Sequence, residues 1–225
     1  MKNSASKHYI VALDGVSGSG KSSTAKKVAK ELGILHLDTG AMHRAVTFLA
    51  LEQGVEPGDT KALQKLVQHI EWEVDSHGKL SVSGRDLSHD IRQSAISASV
   101  SEYAKIPEVR EALVIVQRKI GMRQSSVVEG RDMATVVFPD ARFKFFMSAS
   151  PEVRAQRRVM ELISMGLSAN YGQVLHNLVE RDAIDSTREH SPLLKAPDAM
   201  EIDTSGLTFE AQVAIIVGHV LKNLP

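Results

Sequence analysis

The chain has 225 residues, and its 27 lysines and arginines balance 27 aspartates and glutamates, so its formal net charge is zero. This balance provides no overall field that would recruit nucleic acid or a membrane surface. The absence of cysteine excludes a disulfide scaffold, a thiolate metal site and a cysteine nucleophile. We expect neither a signal peptide nor a membrane span, because the apolar runs are too short for either. Composition and length thus favour a cytoplasmic enzyme of one domain, which we expect to be a monomer.

Short apolar segments alternate with helical patterns along the chain. The predicted strands are residues 9–13, 34–37, 126–129, 143–147 and 199–202, and such short apolar runs are typical of strands buried on both faces. Helices are predicted near residues 21–32, 41–53, 93–105, 107–121, 151–165, 170–183 and 207–222. The alternation predicts an α/β fold whose parallel sheet core is covered by helices on both faces.

Residues 70–92 interrupt this alternation. They contain the one tryptophan of the chain, Trp72, and short β-like runs on either side of the turn DSHGK at 75–79. We predict a small β-rich insertion here. Two interpretations stay open for it, a part of a substrate-binding subdomain and a surface hairpin without a function.

The first predicted strand is followed directly by GVSGSGKSS, Gly15 to Ser23, which matches the pattern G-x-x-x-x-G-K-[ST]. Glycine lets the backbone approach a ligand closely, and the N–H groups of such a loop and of the next helix form an anion site. Lys21 would contact the β- and γ-phosphates of a nucleotide, and the Ser22 hydroxyl would bind Mg²⁺. The position between a strand and a helix favours nucleotide binding over a chance Gly/Ser linker.

Two further motifs follow predicted strands, at the ends where ligands bind in open α/β sheets. In LDTGAMHRA, residues 37–45, Arg44 could contact an anion, and the Thr39 hydroxyl is either a ligand group or a helix N-cap. In VVEGRDMATVVFPDA, residues 127–141, Arg131 and Asp132 stand side by side. They are either an ordinary ion pair or part of a site, and their position after a buried strand favours the site.

Arginines recur in the last third of the chain. Ser150 as a cap and Pro151 as first residue predict the start of a helix, whose one face carries Arg154, Arg157 and Arg158. This face is either solvated or binds phosphates. Further on, helical spacing brings together Arg181, Asp185 and Arg188, and two guanidinium groups beside a carboxylate suit phosphates and a sugar hydroxyl.

The order of these motifs resembles that in the bacterial cytidylate kinases, which are nucleoside monophosphate (NMP) kinases. The resemblance spans about residues 9–222 and is carried by DGVSGSGKSS, LDTGAMHRA, IPEVREAL, VVEGRDMATVVFPDA, ASPEVRAQRR and ERDAIDSTRE. It implies transfer of the γ-phosphoryl group of ATP to CMP or dCMP with Mg²⁺. It also implies a P-loop NTPase-type sheet core, a small β-containing NMP-binding insertion and a helical lid.

The resemblance further implies roles for individual residues. The ATP phosphates would be held by Gly15, Val16, Ser17, Gly18, Ser19, Gly20, Lys21, Ser22 and Ser23. Cytosine would be contacted by Ser101, Arg110 and Asp132, and the ribose by Arg181 and Asp185. The surroundings of the CMP phosphate would be formed by Thr39, Arg44, Arg131 and Arg188. The catalytic residues would be Lys21, Arg131, Arg154, Arg157, Arg158 and Arg188, with Ser22 as the metal ligand.

The implied core comprises residues 9–69, 106–150 and 183–225, with the NMP-binding insertion at about 70–105 and the lid at about 151–170. Repulsion among the three lid arginines predicts a lid that stays open until phosphates bind.

The chain departs from the family pattern twice. His43 stands where many members have tyrosine, and Ala134 where glycine is usual, which affects substrate affinity more than activity.

Two other functions stay open. A P-loop kinase for another small acceptor would keep the phosphate loop, but it does not require the GRDM and ERD-x-x-D-x-x-R stretches together. A non-catalytic nucleotide-binding module is disfavoured by Lys21 and the lid arginines, since binding alone needs no charge on a transferring group. A GTPase would need a guanine-reading motif such as N-K-x-D, which the chain lacks.

Overall fold

The computed structural model describes residues 8–75 and 78–224. Its strands are β1 (Ile10–Gly15), β2 (Leu35–Asp38), β3 (Trp72–Val74), β4 (Leu80–Val82), β5 (Ser126–Glu129), β6 (Phe143–Ser148) and β7 (Met200–Asp203). Its α-helices are α1 (Lys21–Leu32), α2 (Thr39–Glu52), α3 (Thr60–His69), α4 (Ser94–Ala104), α5 (Pro107–Gly121), α6 (Pro151–Ser164), α7 (Tyr171–Thr187) and α8 (Phe209–Asn223). A 3₁₀ turn spans Asp90–Arg92, and a π-helical turn spans Met133–Val137.

Five strands form a parallel sheet in the order β2-β5-β1-β6-β7. All five predicted strands are present, each within two residues of its predicted boundaries, and the α/β prediction is confirmed. Because β1 lies in the middle, its neighbours are β5 and β6, with Leu13 opposite Glu129 and Gly15 opposite Met147. The segments that follow β1, β2 and β5 therefore emerge at one edge of the sheet.

The sheet has a hydrophobic core on each face, as strands with alternating side chains require. On β1, Val11 and Leu13 pack in the cluster that includes residues of α1 and α8, whereas Ala12 packs in the cluster of α2, α3 and α5. All three side chains are fully buried. The continuous apolar run of β1 thus follows from burial on both faces.

Helix α3 is absent from the sequence-based prediction. It begins after Asp59, whose side chain accepts a hydrogen bond from Ala62 N at 3.0 Å, and it buries Leu63 and Val67, which are four residues apart. An N-cap and an apolar pair at helical spacing were therefore visible in the sequence. Helix α6 begins as predicted, with Ser150 as cap and Pro151 first, and α7 continues four residues beyond its predicted end.

The β-rich insertion is confirmed as an antiparallel hairpin of β3 and β4, with Trp72 opposite Val82. The 3₁₀ turn and α4 follow it and pack with it against α2. The tip of the predicted turn, residues 76–77, lies outside the described residues, as do residues 1–7 and 225. Within the described part of the chain, no helix combines the length and apolar character that crossing a membrane requires.

Candidate active site

The loop between β1 and α1 depends on glycines where the backbone turns. Gly15 has φ +147°, and a Cβ there would lie 2.0 Å from the Met147 carbonyl oxygen of β6. Gly20 has φ +91° and immediately precedes α1. The motif thus lies between a strand and a helix, and the first N–H groups of α1 open onto the loop, as an anion site requires.

Lys21 folds back over this loop. Its Nζ donates to the Val16 carbonyl oxygen at 2.6 Å and to Ser19 Oγ at 3.4 Å, and only 6% of the residue is exposed. Burial and the nearby charge of Arg131 lower the pKa of Lys21 well below its ordinary value, against the opposing effect of Glu129. A phosphate group at the loop would provide the negative charge that this buried ammonium group lacks.

Glu129, at the end of β5, joins three segments and was not singled out from the sequence as a site residue. Its carboxylate accepts a hydrogen bond from Ser22 Oγ at 2.7 Å and lies 2.8 Å from His36 Nε2. Its carbonyl oxygen accepts from Thr39 Oγ1 at 2.7 Å. An acidic residue at the end of an apolar strand was the sequence feature that could have identified Glu129.

The N-cap of α2 is Asp38, not Thr39. The Asp38 side chain accepts from Ala41 N at 2.9 Å, and the Thr39 hydroxyl is instead committed to Glu129. Burial, and then the charge of Glu129, raise the pKa of Asp38 to about 6. The capping interpretation of Thr39 is therefore wrong.

The oxygen atoms beside the loop suit a magnesium ion. Mg²⁺ prefers oxygen ligands and is usually held by one or two protein groups together with substrate phosphates and waters. Ser22 Oγ offers such an oxygen at the start of α1, and the Glu129 carboxylate accepts a hydrogen bond from this hydroxyl. Among the residues that the structure describes, no group of three or more His, Asp or Glu could form an all-protein metal cage. The donor set fits an ion that arrives with a nucleotide.

Three ion pairs, two of which share Asp185, connect the segment after β5 with α5 and with the end of α7. Arg131 Nε donates to Asp185 Oδ2 at 2.7 Å, and Arg188 Nη1 donates to Asp185 Oδ1 at 3.4 Å. Arg110 pairs with Asp132, and both are almost completely buried. The structure thus brings residues of α5, α7 and the segment after β5 into one cluster, as the sequence-based hypothesis requires.

The π-helical turn after Asp132 is held by Asp14, which the sequence analysis did not assign to the site. Asp14 accepts from Met133 N at 2.8 Å and from Ala134 N at 2.7 Å. Burial raises the pKa of Asp14 to about 6, although both hydrogen bonds favour its ionised form. Ala134, which replaces the glycine that the resemblance implies, takes part through its backbone N–H, so its methyl group leaves this contact intact.

The cluster retains positive charge. Burial lowers the pKa of Arg181 and of Arg188 to about 10, with Arg131 and Arg110 respectively as the next causes. Burial by itself would raise the pKa of Asp185, but its arginine neighbours outweigh burial and hold it below its ordinary value. At neutral pH the arginines and Asp185 are therefore all charged, and an anionic ligand is favoured.

Several buried polar atoms of this cluster have no hydrogen-bond partner among the residues described. They are Nε of Arg110, Nε of Arg181, Nη2 of Arg188 and Nε2 of His43. Buried polar groups are normally paired, so several unpaired ones in one cluster indicate a ligand that completes them. Arg44 is already committed, since its Nη1 donates to Ser97 Oγ at 2.9 Å, and Ser101 lies half-buried one turn further along α4.

Arg154 lies beneath the P-loop rather than on an open face. It pairs with Asp182 and donates to the Ser17 carbonyl oxygen at 3.0 Å, while Asp182 Oδ1 accepts from Ser17 N at 3.1 Å. Only 3% of Arg154 is exposed. Asp182 thus neutralises the charge of Arg154. The predicted repulsion among the three lid arginines therefore does not apply to Arg154. Asp182, within the ERD motif, was missed as its partner.

The other two arginines of α6 diverge. Arg157 donates to the carbonyl oxygen of Thr204 at 2.6 Å and to its hydroxyl at 3.0 Å, whereas Arg158 pairs with Glu161 at 2.7 Å on the helix surface. Arg157 also borders a cavity of about 260 Å³ next to the P-loop. Its lining comprises Gly20, Ser23, Arg157, Leu207, Phe209 and Gln212, and the last three residues carry no sequence motif that would have identified them.

Comparisons with known proteins identify the family of this chain. The sequence model of the family described as cytidylate kinase matches residues 11–222. A cytidylate kinase from Clostridium acetobutylicum is 43% identical over 214 residues, which cover 95% of this chain and 98% of that protein. A cytidylate kinase from Clostridioides difficile is 42% identical over 213 residues, with the same coverage. The crystal structure of an uncharacterized protein from Eubacterium ventriosum covers 96% of this chain and 100% of its own at a TM-score of 0.53 and 12% identity, which indicates a shared fold only.

The raised pKa of Asp38 predicts a pH-dependent contribution to stability. Asn at position 38 keeps a good N-cap but removes a carboxyl group whose pKa is about 6 when folded and 3.8 ordinarily. Between these values the folded chain binds the proton and the unfolded chain does not, so stability increases as pH falls. Relative to Asp38→Asn, we expect the unfolding free energy of the wild type to rise by up to about 2 kcal/mol from about pH 6 to pH 4. Urea denaturation measures this, and parallel pH profiles would contradict it.

The buried pair beneath the P-loop predicts a selective effect on the donor nucleotide. Asp182→Ala leaves Arg154 buried without its counter-charge and should lower the unfolding free energy by about 3 kcal/mol. Because Ser17 N also loses its acceptor, we expect a several-fold rise in KM for ATP and a smaller change for the acceptor. As a matched control, Asp198→Ala removes an ion pair whose carboxylate is exposed and should leave stability nearly unchanged, because solvent screens the pair. Equal changes in both KM values would argue against this role.

Proposed function

This chain belongs to the cytidylate kinase family, and from that premise we propose that it transfers the γ-phosphoryl group of ATP to CMP or dCMP in the cleft at the carboxyl edge of its sheet. It is a phosphotransferase, and its products are ADP and CDP or dCDP. One juxtaposition supports the assignment of this site. Helix α7 carries both Asp182, which accepts a hydrogen bond from the P-loop at Ser17 N, and Asp185, which pairs with Arg131 of the ion-paired cluster.

The donor nucleotide would lie along the P-loop. Residues 15–23 would bind its phosphates through backbone N–H groups and Lys21, because α1 begins there. The cavity bordered by Arg157, Phe209 and Gln212 adjoins the same loop. We infer that it takes the adenine, with Phe209 and the guanidinium group of Arg157 offering flat surfaces and Thr204 fixing the latter.

We propose that Mg²⁺ accompanies the ATP and is held by Ser22 Oγ together with phosphate oxygens. When bound, the ion would neutralise charge on the phosphates during transfer. Glu129 would orient the Ser22 hydroxyl, because its carboxylate accepts a hydrogen bond from the hydroxyl and leaves the lone pairs of Oγ free.

The buried pair of Arg110 and Asp132 supports cytosine as the acceptor base. Ionised aspartate only accepts hydrogen bonds and arginine only donates them. Cytosine offers an amino donor and the acceptors N3 and O2 on its pairing edge, so this pair matches it. Ser101 can serve either way and would contribute less to the choice of base.

The remaining side chains of the cluster suit the sugar and phosphate of the acceptor. Asp185 and Arg181 would contact ribose hydroxyls, and Arg188 and Arg131 would bind the CMP phosphate. Thr39 and Arg44 would complete its surroundings, although both already have protein partners. Arginine suits such phosphate contacts because its planar fork donates two parallel hydrogen bonds.

Catalysis would rest on positioning and on charge. Lys21 and Arg131 would stabilise the negative charge of the transferring phosphoryl group, and Arg158 would add to this if the lid closes. Arg154 would act from beneath by shaping the P-loop. We propose residues 151–170 as this lid, whose closure excludes water, and about 70–105 as the NMP-binding insertion.

We further propose that the protein is a monomer in the cytoplasm and has no nucleic-acid or membrane partner. The balanced net charge and the short apolar runs of the sequence support this proposal.

The acceptor range tests the proposed activity. We expect ADP release from ATP with CMP and dCMP, much less with UMP or AMP, and little without an acceptor. Lys21→Ala should fold normally and lose about 10²-fold or more in kcat, because a group that stabilises the transition state is removed. Lys26→Ala, on the exposed face of α1, serves as the control. Full turnover by Lys21→Ala, or equal rates for all acceptors, would refute the proposal.

Base choice tests the role of Asp132. Asp132→Asn is isosteric and can still accept from Arg110, but its amide can also donate to the O4 atom of uracil. We expect kcat/KM to fall for CMP and to fall less, or rise, for UMP. Steady-state kinetics with both acceptors measures the ratio. An unchanged CMP-to-UMP ratio would remove Asp132 from base recognition.

A further inference from the structure

His43 presents a defined acceptor atom. It lies on α2, and its Nδ1 is 2.9 Å from the Thr39 carbonyl oxygen one turn earlier. A carbonyl oxygen only accepts hydrogen bonds, so Nδ1 carries the proton. In a neutral imidazole the other nitrogen, Nε2, then has a free lone pair and can only accept.

This acceptor is buried and has no partner within the described residues. Burial, with Arg110 as the next cause, lowers the pKa of His43 to about 4, and Asp132 and Arg188 also act on it electrostatically. The ring is therefore neutral at neutral pH. A buried acceptor without a partner destabilises the chain until a donor reaches it.

His43 Nε2 differs in kind from the other unpartnered atoms of the cluster. The nitrogens of Arg110, Arg181 and Arg188 that lack partners there are donors, and they match phosphate oxygens or base acceptors. Nε2 instead requires a hydrogen-bond donor, which phosphate oxygens and base acceptors cannot supply. CMP has two kinds of donor, the exocyclic amine of the base and the ribose hydroxyls.

We propose that His43 Nε2 accepts a hydrogen bond from the exocyclic amine of cytosine and is a specificity-determining residue. The inference rests on the proposed function and deepens it. The amine has two N–H groups, and Asp132 accounts for one of them. Arg110 and Asp132, proposed for the base, act electrostatically on His43. Arg44, the next residue of α2, donates to Ser97 Oγ of α4, one turn before Ser101, which is also proposed for the base. Asp185 is instead the acceptor proposed for the ribose.

The same atom would disfavour uracil. Its O4 oxygen would face the Nε2 lone pair, and two acceptors repel each other. His43 cannot relieve this by taking up a proton at neutral pH, because its pKa is about 4. His43 and Asp132 would therefore both reject uracil, through different atoms.

The test removes the acceptor and, separately, the donor. His43→Phe keeps a planar ring without Nε2, and a CMP analogue with hydrogen in place of the 4-amino group lacks the donor. We expect His43→Phe to lower kcat/KM about tenfold for CMP and for dCMP. With the deaminated analogue it should change little, and with UMP it should stay level or rise.

His69 supplies a matched control. At the end of α3 its Nδ1 lies 2.7 Å from the Lys65 carbonyl oxygen one turn earlier, the same local contact at an exposed position. His69→Phe should leave all four acceptors unaffected. Urea denaturation of both variants shows whether either is poorly folded.

A measurement on the wild-type chain does not depend on the folding of any variant. The ¹⁵N resonance of His43 Nε2 should move on titration with CMP, as expected for a nitrogen that becomes a hydrogen-bond acceptor, and not with the deaminated analogue. Equal losses by His43→Phe on CMP and the analogue would overturn the proposal in favour of packing. A loss on CMP but not on dCMP would overturn it in favour of the 2′-hydroxyl. A wild-type chain inactive on CMP would instead refute the proposed function.

Discussion

Arginine can be buried only beside a counter-charge, and this constraint organises the carboxyl edge of the sheet. Removing a charge from water is costly, and a partner in good geometry is needed to compensate. Arg154 has Asp182, Arg110 has Asp132, and Arg131 has Asp185. Each pair joins segments far apart in the chain, so pairing also fixes how the helices meet the sheet. A carboxylate lost from any pair would leave a charge that the fold cannot solvate.

The arginines of this cluster are not fully paired, and an anionic ligand would complete their pairing. Arg188 and Arg181 share Asp185 with Arg131, so positive charge exceeds negative charge locally. Some of their N–H groups are buried without partners in the described structure. A phosphate group satisfies both deficits at once, because it brings negative charge and several acceptor oxygens. The site is therefore organised before the substrate binds, which reduces the rearrangement that binding requires.

The features that could be predicted from the sequence are those that local residue patterns determine. The strands follow from apolar runs, and the P-loop from its glycines, of which Gly15 lies where a Cβ would collide with β6. Local patterns do not reveal which of several acids a given arginine meets. Asp182 and Asp185 lie three residues apart on α7 and have different partners, a distinction that depends on the packing of α6. Likewise Asp38 and Thr39 are both good caps, and only the burial of Thr39 against Glu129 decides between them.

Helix α7 links the P-loop and the arginine cluster through one face. Asp182 accepts a hydrogen bond from the P-loop at Ser17 N and pairs with Arg154. One turn later, Asp185 pairs with Arg131. Because both carboxylates lie on one helix, a displacement of α7 would change the contact with the P-loop and the pairing of Arg131 together. The geometry of the loop and that of the cluster therefore depend on the same helical turn.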